Sequence, residues 1–248
     1  MKPKKKLGII GGMGARASSI FLQKIIDYSP ALTDQEFIEV ILHSNALIPD
    51  RTKAIVYHEA SPVQELLRSV ALFNENNVEV VALACVTSYH FYSDISSFSN
   101  ATIIHPVRLI RRHIKENLND VKRVGLLATT GTLKSGLFRE EFEKHNLELV
   151  TLNEADQENY FMESVYMKNG LKSASISDRA YDLLMAAASK LIGDGAEVIV
   201  GGCSEVSIAL NQNMLSIPFI DAIDLMAVES VNLCYDIKTE TISSIHEY

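Results

Sequence analysis

The chain has 248 residues, 47% hydrophobic and 22% charged, which is the balance of a folded protein long enough for one large or two small cores. Its 23 basic and 31 acidic residues leave a net charge of −8, a poor basis for electrostatic binding to nucleic acid or to an anionic membrane. No apolar run approaches the roughly 18 residues of a membrane span. The three cysteines, Cys85, Cys203 and Cys234, imply free thiols in a reducing cytoplasm rather than a disulfide framework.

The N-terminus has the outline of a secretion signal: Lys4-Lys5-Lys6, an apolar stretch, then Ala15-Arg16-Ala17. That stretch is short and carries Gly8, Gly11, Gly12 and Gly14. It reads better as a buried strand and a tight turn. Short runs rich in Val, Ile and Leu follow along the chain, as expected of strands covered on both faces. They predict strands over 7–10, 37–42, 78–84, 102–105, 123–127, 148–152, 197–200 and 217–221. Helical patterns lie between them, over 17–28, 52–76, 107–117, 136–145, 157–168, 175–193 and 222–236. This alternation predicts an α/β architecture with parallel sheets flanked by helices and functional loops at the carboxyl ends of the strands. The polar tail 238–248 is expected to fray.

The chain also repeats itself. Lys5-Lys6-Leu7-Gly8-Ile9-Ile10 resembles Lys122-Arg123-Val124-Gly125-Leu126-Leu127, and the run ending in Cys85 resembles the run ending in Cys203. The glycines are 117 positions apart (125 − 8) and the cysteines 118 (203 − 85). Two unrelated motifs at nearly the same offset predict two similar halves. The first is expected to hold 1–106 plus 215–248, with the last helix returning to it, and the second 107–214.

A lone cysteine after an apolar strand is more often packing than chemistry. Equivalent cysteines in two halves would instead face one another across a cleft. Hydroxyls follow both, Thr87 and Ser88 after Cys85 and Ser204 after Cys203, where they can cap a helix or donate to an anion. One thiolate can remove a proton from a carbon while the opposite thiol returns one to the other face. Cys234 lies in an apolar helical pattern and is assigned to packing. Gly12-x-Gly14-x-x-Ala17 formally meets the dinucleotide fingerprint, yet it equally suits a carboxylate cradle or a plain strand-to-helix turn. Arg51 could grip a carboxylate or simply pair with Asp50. Lys168 is either a ligand or a helix-terminal cation, and Glu205 a ligand or a first-turn acid. His90 is close to Cys85 in sequence but suits a satisfied core histidine as well.

Taken together, Leu7-to-Gly14, Ser44-to-Thr52, Cys85-Val86-Thr87, Val124-to-Thr132, Tyr166-Met167-Lys168 and Gly202-Cys203-Ser204-Glu205 resemble the aspartate/glutamate racemase superfamily, most closely its aspartate racemase branch. The resemblance covers nearly the whole chain. It implies two pseudo-symmetric flavodoxin-like α/β domains and racemisation of aspartate or glutamate with no pyridoxal phosphate, no metal and no other cofactor. It also implies a homodimer. Cys85 and Cys203 would be the catalytic pair, and Met13, Asn45, Arg51, Val86, Thr87, Ser88, Thr129, Lys168, Ser204 and Glu205 would meet the substrate. Arg51 and Lys168 would read the side-chain carboxylate. The chain departs from the family pattern in three places. Val86 replaces the usual asparagine, Ser204 the usual threonine, and Ala15-Arg16 the usual Pro-Glu. A maleate- or hydantoin-type reaction, or loss of catalysis with retained ligand binding, are the rival expectations.

Overall fold

The computed structural model describes residues 1–237; the expectation for the tail lies outside the described residues. The first sheet is built from β1 (Leu7–Gly11), β2 (Val40–Ser44), β3 (Val80–Leu83) and β4 (Thr102–Ile103). The second is built from β5 (Arg123–Leu127), β6 (Glu148–Val150), β7 (Val198–Gly201) and β8 (Phe219–Asp221). Their orders, β2-β1-β3-β4 and β6-β5-β7-β8, are the same, and every pairing is parallel. All residues of β1, β3 and β7 are buried, which explains why these strands read as unbroken apolar runs. The expected two-halved α/β architecture is the observed one.

Helices α1 (Ala15–Tyr28), α2 (Arg51–Tyr57), α3 (Val63–Glu75), α4 (Tyr92–Phe98) and α5 (Pro106–Asn117) link the strands of the first sheet and lead out of it. The helix expected over 52–76 is therefore two. His58 takes the left-handed conformation (φ 54) that ends α2, and Pro62 stands just before α3, where its ring cannot continue a helix. The second half contains α6 (Thr130–Lys134), α7 (Leu137–Glu143), α8 (Glu154–Asp156), a π-helical turn Gln157–Met162, α9 (Glu163–Tyr166), α10 (Asp178–Gly193), α11 (Val206–Ala209) and α12 (Ala222–Tyr235). The helical stretch expected to reach 168 stops at Tyr166, because Met167 turns to extended backbone.

The two halves exchange their last helices. Val107, Ile110 and Ile114 of α5 are buried with Val124, Leu126, Phe138, Phe142, Val198 and Val200 of the second half. In return, Ile223, Met226, Ala227, Val231 and Cys234 of α12 are buried with Leu7, Ile9, Phe21 and Val81 of the first. The expected return to the first half is thus made by the helix alone: β8 pairs with β7, so a boundary before 215 would detach a strand from its own sheet.

Candidate active site

Cys85 follows β3 and Cys203 follows β7 through Gly202, so the shared topology delivers both to one edge of the molecule. Both line one small, narrow cavity. Arg51, Thr52, Val86, Thr87, Thr129, Tyr166, Lys172, Ser204 and Glu205 complete its wall. Both cysteines are buried and free of disulfides. The backbone leaving Cys85 turns into a 3-10 turn, Val86–Phe91, which carries Thr87 into the cleft.

Each sulfur has its own electrostatic neighbour. The Cys203 thiol donates to Glu205 Oε2 at 3.0 Å, and the Ser204 hydroxyl donates to the same oxygen at 3.2 Å. The other oxygen, Oε1, accepts from Lys172 Nζ at 2.8 Å. Lys172 also donates to the Met13 carbonyl at 3.2 Å. Gly14 makes room for this network, since a Cβ there would stand 2.9 Å from Glu205 Oε1. Burial alone would push the Glu205 carboxyl up, but the Lys172 ammonium and the thiol contact outweigh it and hold the group below the usual carboxylate range. Burial and then the Glu205 charge push the Cys203 thiol well above its ordinary value, with Lys172 pulling only part of the way back. Lys172 rises in turn: burial opposes its charge, while Glu205 and the nearby sulfurs favour it.

Arg51 is the cation beside Cys85. Burial works against its charge, yet the Cys85 sulfur and Asp50 favour it and the balance lies above the ordinary value. Its guanidinium donates to the carbonyls of Pro49 at 2.9 Å and Met13 at 2.9 Å. Nε is buried and, among the described residues, has no protein partner. Asp50 caps α2 by accepting from the Lys53 N–H and also accepts from the Tyr166 hydroxyl at 3.2 Å, tying the two halves across the cleft. The Thr87, Thr129 and Thr132 hydroxyls form a closed triangle with sides of 3.1, 2.8 and 3.1 Å, in which each can donate to the next.

Of the residues expected at the site, the cavity gathers Cys85, Cys203, Arg51, Val86, Thr87, Thr129, Ser204 and Glu205. Met13 contributes its carbonyl to Arg51 and Lys172, while Ser88 is fully buried and donates to the Met13 sulfur at 3.1 Å. Asn45 is absent from the cavity lining. Its amide donates to Glu65, its oxygen accepts from Arg68 and Leu47, and its backbone presses so close to Gly12 (φ +85) that a Cβ there would stand 2.4 Å away. Lys168 is exposed and likewise does not line the cavity. Lys172, which sequence reasoning passed over, stands there instead. The turn after α9 brings it in: Leu171 N–H donates to Ser164 O and Lys172 N–H to Val165 O, folding the chain back over the cleft. Tyr166 also lines the cavity, with Lys172 Nζ 5.6 Å from its ring centre. His90 is exposed, with its ring edge-on to Phe91. Cys234 is packed in α12, its thiol pushed up to about 12, chiefly by burial.

These features define a two-halved α/β protein with one thiol from each half at a shared, charged cleft. The sequence profile of the Asp/Glu/Hydantoin racemase family matches residues 10–230, and the chain belongs to that family. It is 21% identical over 231 residues to the broad specificity amino-acid racemase RacX of Bacillus subtilis, covering 91% of this chain and 96% of that one. The fold is that of Picrophilus torridus aspartate racemase (TM-score 0.79, 22% identity, 92% of this chain and 95% of that one). It is also that of Francisella tularensis glutamate racemase solved with D-glutamate (TM-score 0.69, 14% identity, 94% and 81%). Val86 is 1% exposed and packs in the apolar cluster of Val107, Ile110 and Leu126.

Proposed function

We propose that the protein is a cofactor-independent racemase of amino acids that carry a second carboxylate, aspartate or glutamate, with Cys85 and Cys203 exchanging protons with the two faces of Cα. The reading is carried by one observation: two thiols, one from the end of each equivalent strand, line the same small cavity. In one direction a Cys85 thiolate takes the α-proton, and the electron pair left on carbon is delocalised into the α-carboxylate. The Cys203 thiol then delivers its proton to the opposite face. Reversal exchanges the two roles. Arg51 and Lys172, the cations that line the cleft among the described residues, suit a substrate with two carboxylates. Thr87, Thr129 and Ser204 supply neutral donors. The homodimer and the reducing, cytoplasmic setting are part of the same proposal.

The test is to incubate the protein with L-aspartate and with L-glutamate in deuterated water. Circular dichroism then follows optical activity, and NMR follows α-deuterium uptake. Loss of rotation with deuterium incorporation is expected for at least one of them. No exchange with either would reject the acidic substrate. Light scattering of the purified protein checks the dimer.

A broader substrate range is favoured by Val86, which gives the cavity an apolar wall. A screen of neutral amino acids by the same deuterium method decides between the narrow and the broad form.

A further inference from the structure

Resting on that reading, we propose that Arg16 is a positioning residue for the substrate's second carboxylate: it clamps the irregular segment 167–177 onto the first half and so keeps Lys172 over the cleft. The segment runs from the end of α9 to the start of α10 and belongs to the second half. Its own backbone bonds return it there, Leu171 N–H to Ser164 O, Lys172 N–H to Val165 O and Ser177 N–H to Asn169 O. Two other contacts reach the turn that opens α1. Lys172 Nζ donates to the Met13 carbonyl at 3.2 Å, and two residues further on the Ala174 carbonyl accepts from Arg16 Nη2 at 2.6 Å. Just before the segment, the Tyr166 hydroxyl donates to Asp50. Lys172 therefore stands between two tethers to the first half that do not pass through its own ammonium.

Arg16 is badly placed for any duty to its own helix. It lies in the first turn of α1, where the partial positive charge of the helix end opposes a cation, and that turn carries no acidic residue. Its guanidinium goes instead to a neutral carbonyl 158 positions away. Arg16 and Ala174 are both exposed, so this bond sits at the outer rim of the cleft and can break without stranding a buried group. The clamp weighs most when the cleft is filled. A carboxylate gripped by Lys172 draws the ammonium off the Met13 carbonyl, and the segment is then held down by Arg16 and Tyr166 alone of these contacts. A tether that counts for more in the loaded protein than in the free one raises affinity.

The experiment compares wild type, Arg16→Met and Arg16→Lys in two measurements. Amide hydrogen exchange of the free, native protein is read by mass spectrometry on peptides spanning 167–177, and racemisation kinetics are read with L-aspartate and L-glutamate. Arg16→Met should speed exchange in 167–177 by about fivefold, the weight of one exposed hydrogen bond, and leave α3 and α10 unchanged. KM should rise by about fivefold with kcat held within about twofold. Arg16→Lys keeps the charge and a donor, so it should fall between the other two in both measurements. Unchanged exchange in 167–177 overturns the proposal. So does a rise of the same size along the whole chain, which would make Arg16 a general stabiliser, and so does a fall in kcat with KM unchanged. If wild type turns over neither amino acid, the functional reading fails, and the exchange data alone decide whether Arg16 holds the segment.

Discussion

Gly131 of the second half lies directly against Thr52 of the first: a Cβ on Gly131 would stand 2.8 Å from the Thr52 Cα. The two residues begin α6 and α2, so the starts of two short helices meet backbone to side chain beside the cleft. Thr52 and Thr129 line the cavity on either side of this contact. Gly131→Ala must push the halves apart. It is expected to cost about 2 kcal/mol by overpacking and to lower kcat more than it lowers Tm would suggest. A variant with wild-type Tm and wild-type turnover would show that the halves move freely here.

Cys85→Ala and Cys203→Ala should each abolish racemisation while leaving the fold intact, since each removes one of the two proton carriers. Deuterium uptake without inversion could survive in one of them. A single variant that racemises at the wild-type rate rejects the two-base scheme.

Lys172→Met and Lys168→Met separate geometry from motif. Lys172 reaches Glu205 and Met13, while Lys168 is exposed. Breaking a buried ion pair from one side costs about 3–5 kcal/mol, so Lys172→Met should lower Tm strongly and raise KM for a dicarboxylic substrate. Lys168→Met should change Tm little and keep KM within about twofold. Equal effects on KM would return the carboxylate-reading role to Lys168.

Val86→Asn puts in the asparagine expected from the resemblance to the racemases. Because Val86 is packed among Val107, Ile110 and Leu126, the amide is expected to destabilise by about 1–3 kcal/mol. It should also shift preference toward acidic over neutral amino acids, measured as the ratio of kcat/KM values. An unchanged Tm would mean that the amide turns into the cleft and leaves the apolar cluster whole.

His105, held between Tyr89 and Tyr92, gives a pH dependence with a defined sign. Burial, and then the Arg108 charge, lower it from 6.5 to about 4. The unfolded chain binds this proton near pH 6.5 and the folded protein only near pH 4, so stability is full above 6.5 and declines as pH falls toward 4. His105→Phe should reduce the drop in Tm between pH 7 and pH 4.5. An equal drop in both proteins would assign the acid sensitivity to carboxylates.

The repeat made much of this legible before any coordinates. Strands buried on both faces leave unbroken apolar runs, so β1, β3, β5 and β7 announced themselves, and nearly equal offsets paired Cys85 with Cys203. Edge elements were less clear: β4 has two residues, and α6 and α11 are too short for a helical period. The break in 52–76 is written in Pro62, which stands just before α3 and marks where a new helix starts. Lys172 was hidden for a different reason. It lies in an irregular segment after α9, and its approach to Glu205 depends on backbone hydrogen bonds that return the chain to Ser164 and Val165. No periodicity records such a fold-back, whereas Lys168 stood in a familiar motif. Asn45 misled in the opposite way, as a polar residue near the sheet edge whose bonding capacity is already spent on its own loop.

The exchanged helices make each half depend on the other. A polypeptide containing only the first half would end in α5, an amphipathic rod whose apolar residues fit a sheet that the fragment does not possess. It would also lack α12, the cover for its own sheet. Such a fragment could cover its sheet only by trading rods with a second copy, so neither half is expected to stand alone as a stable monomer.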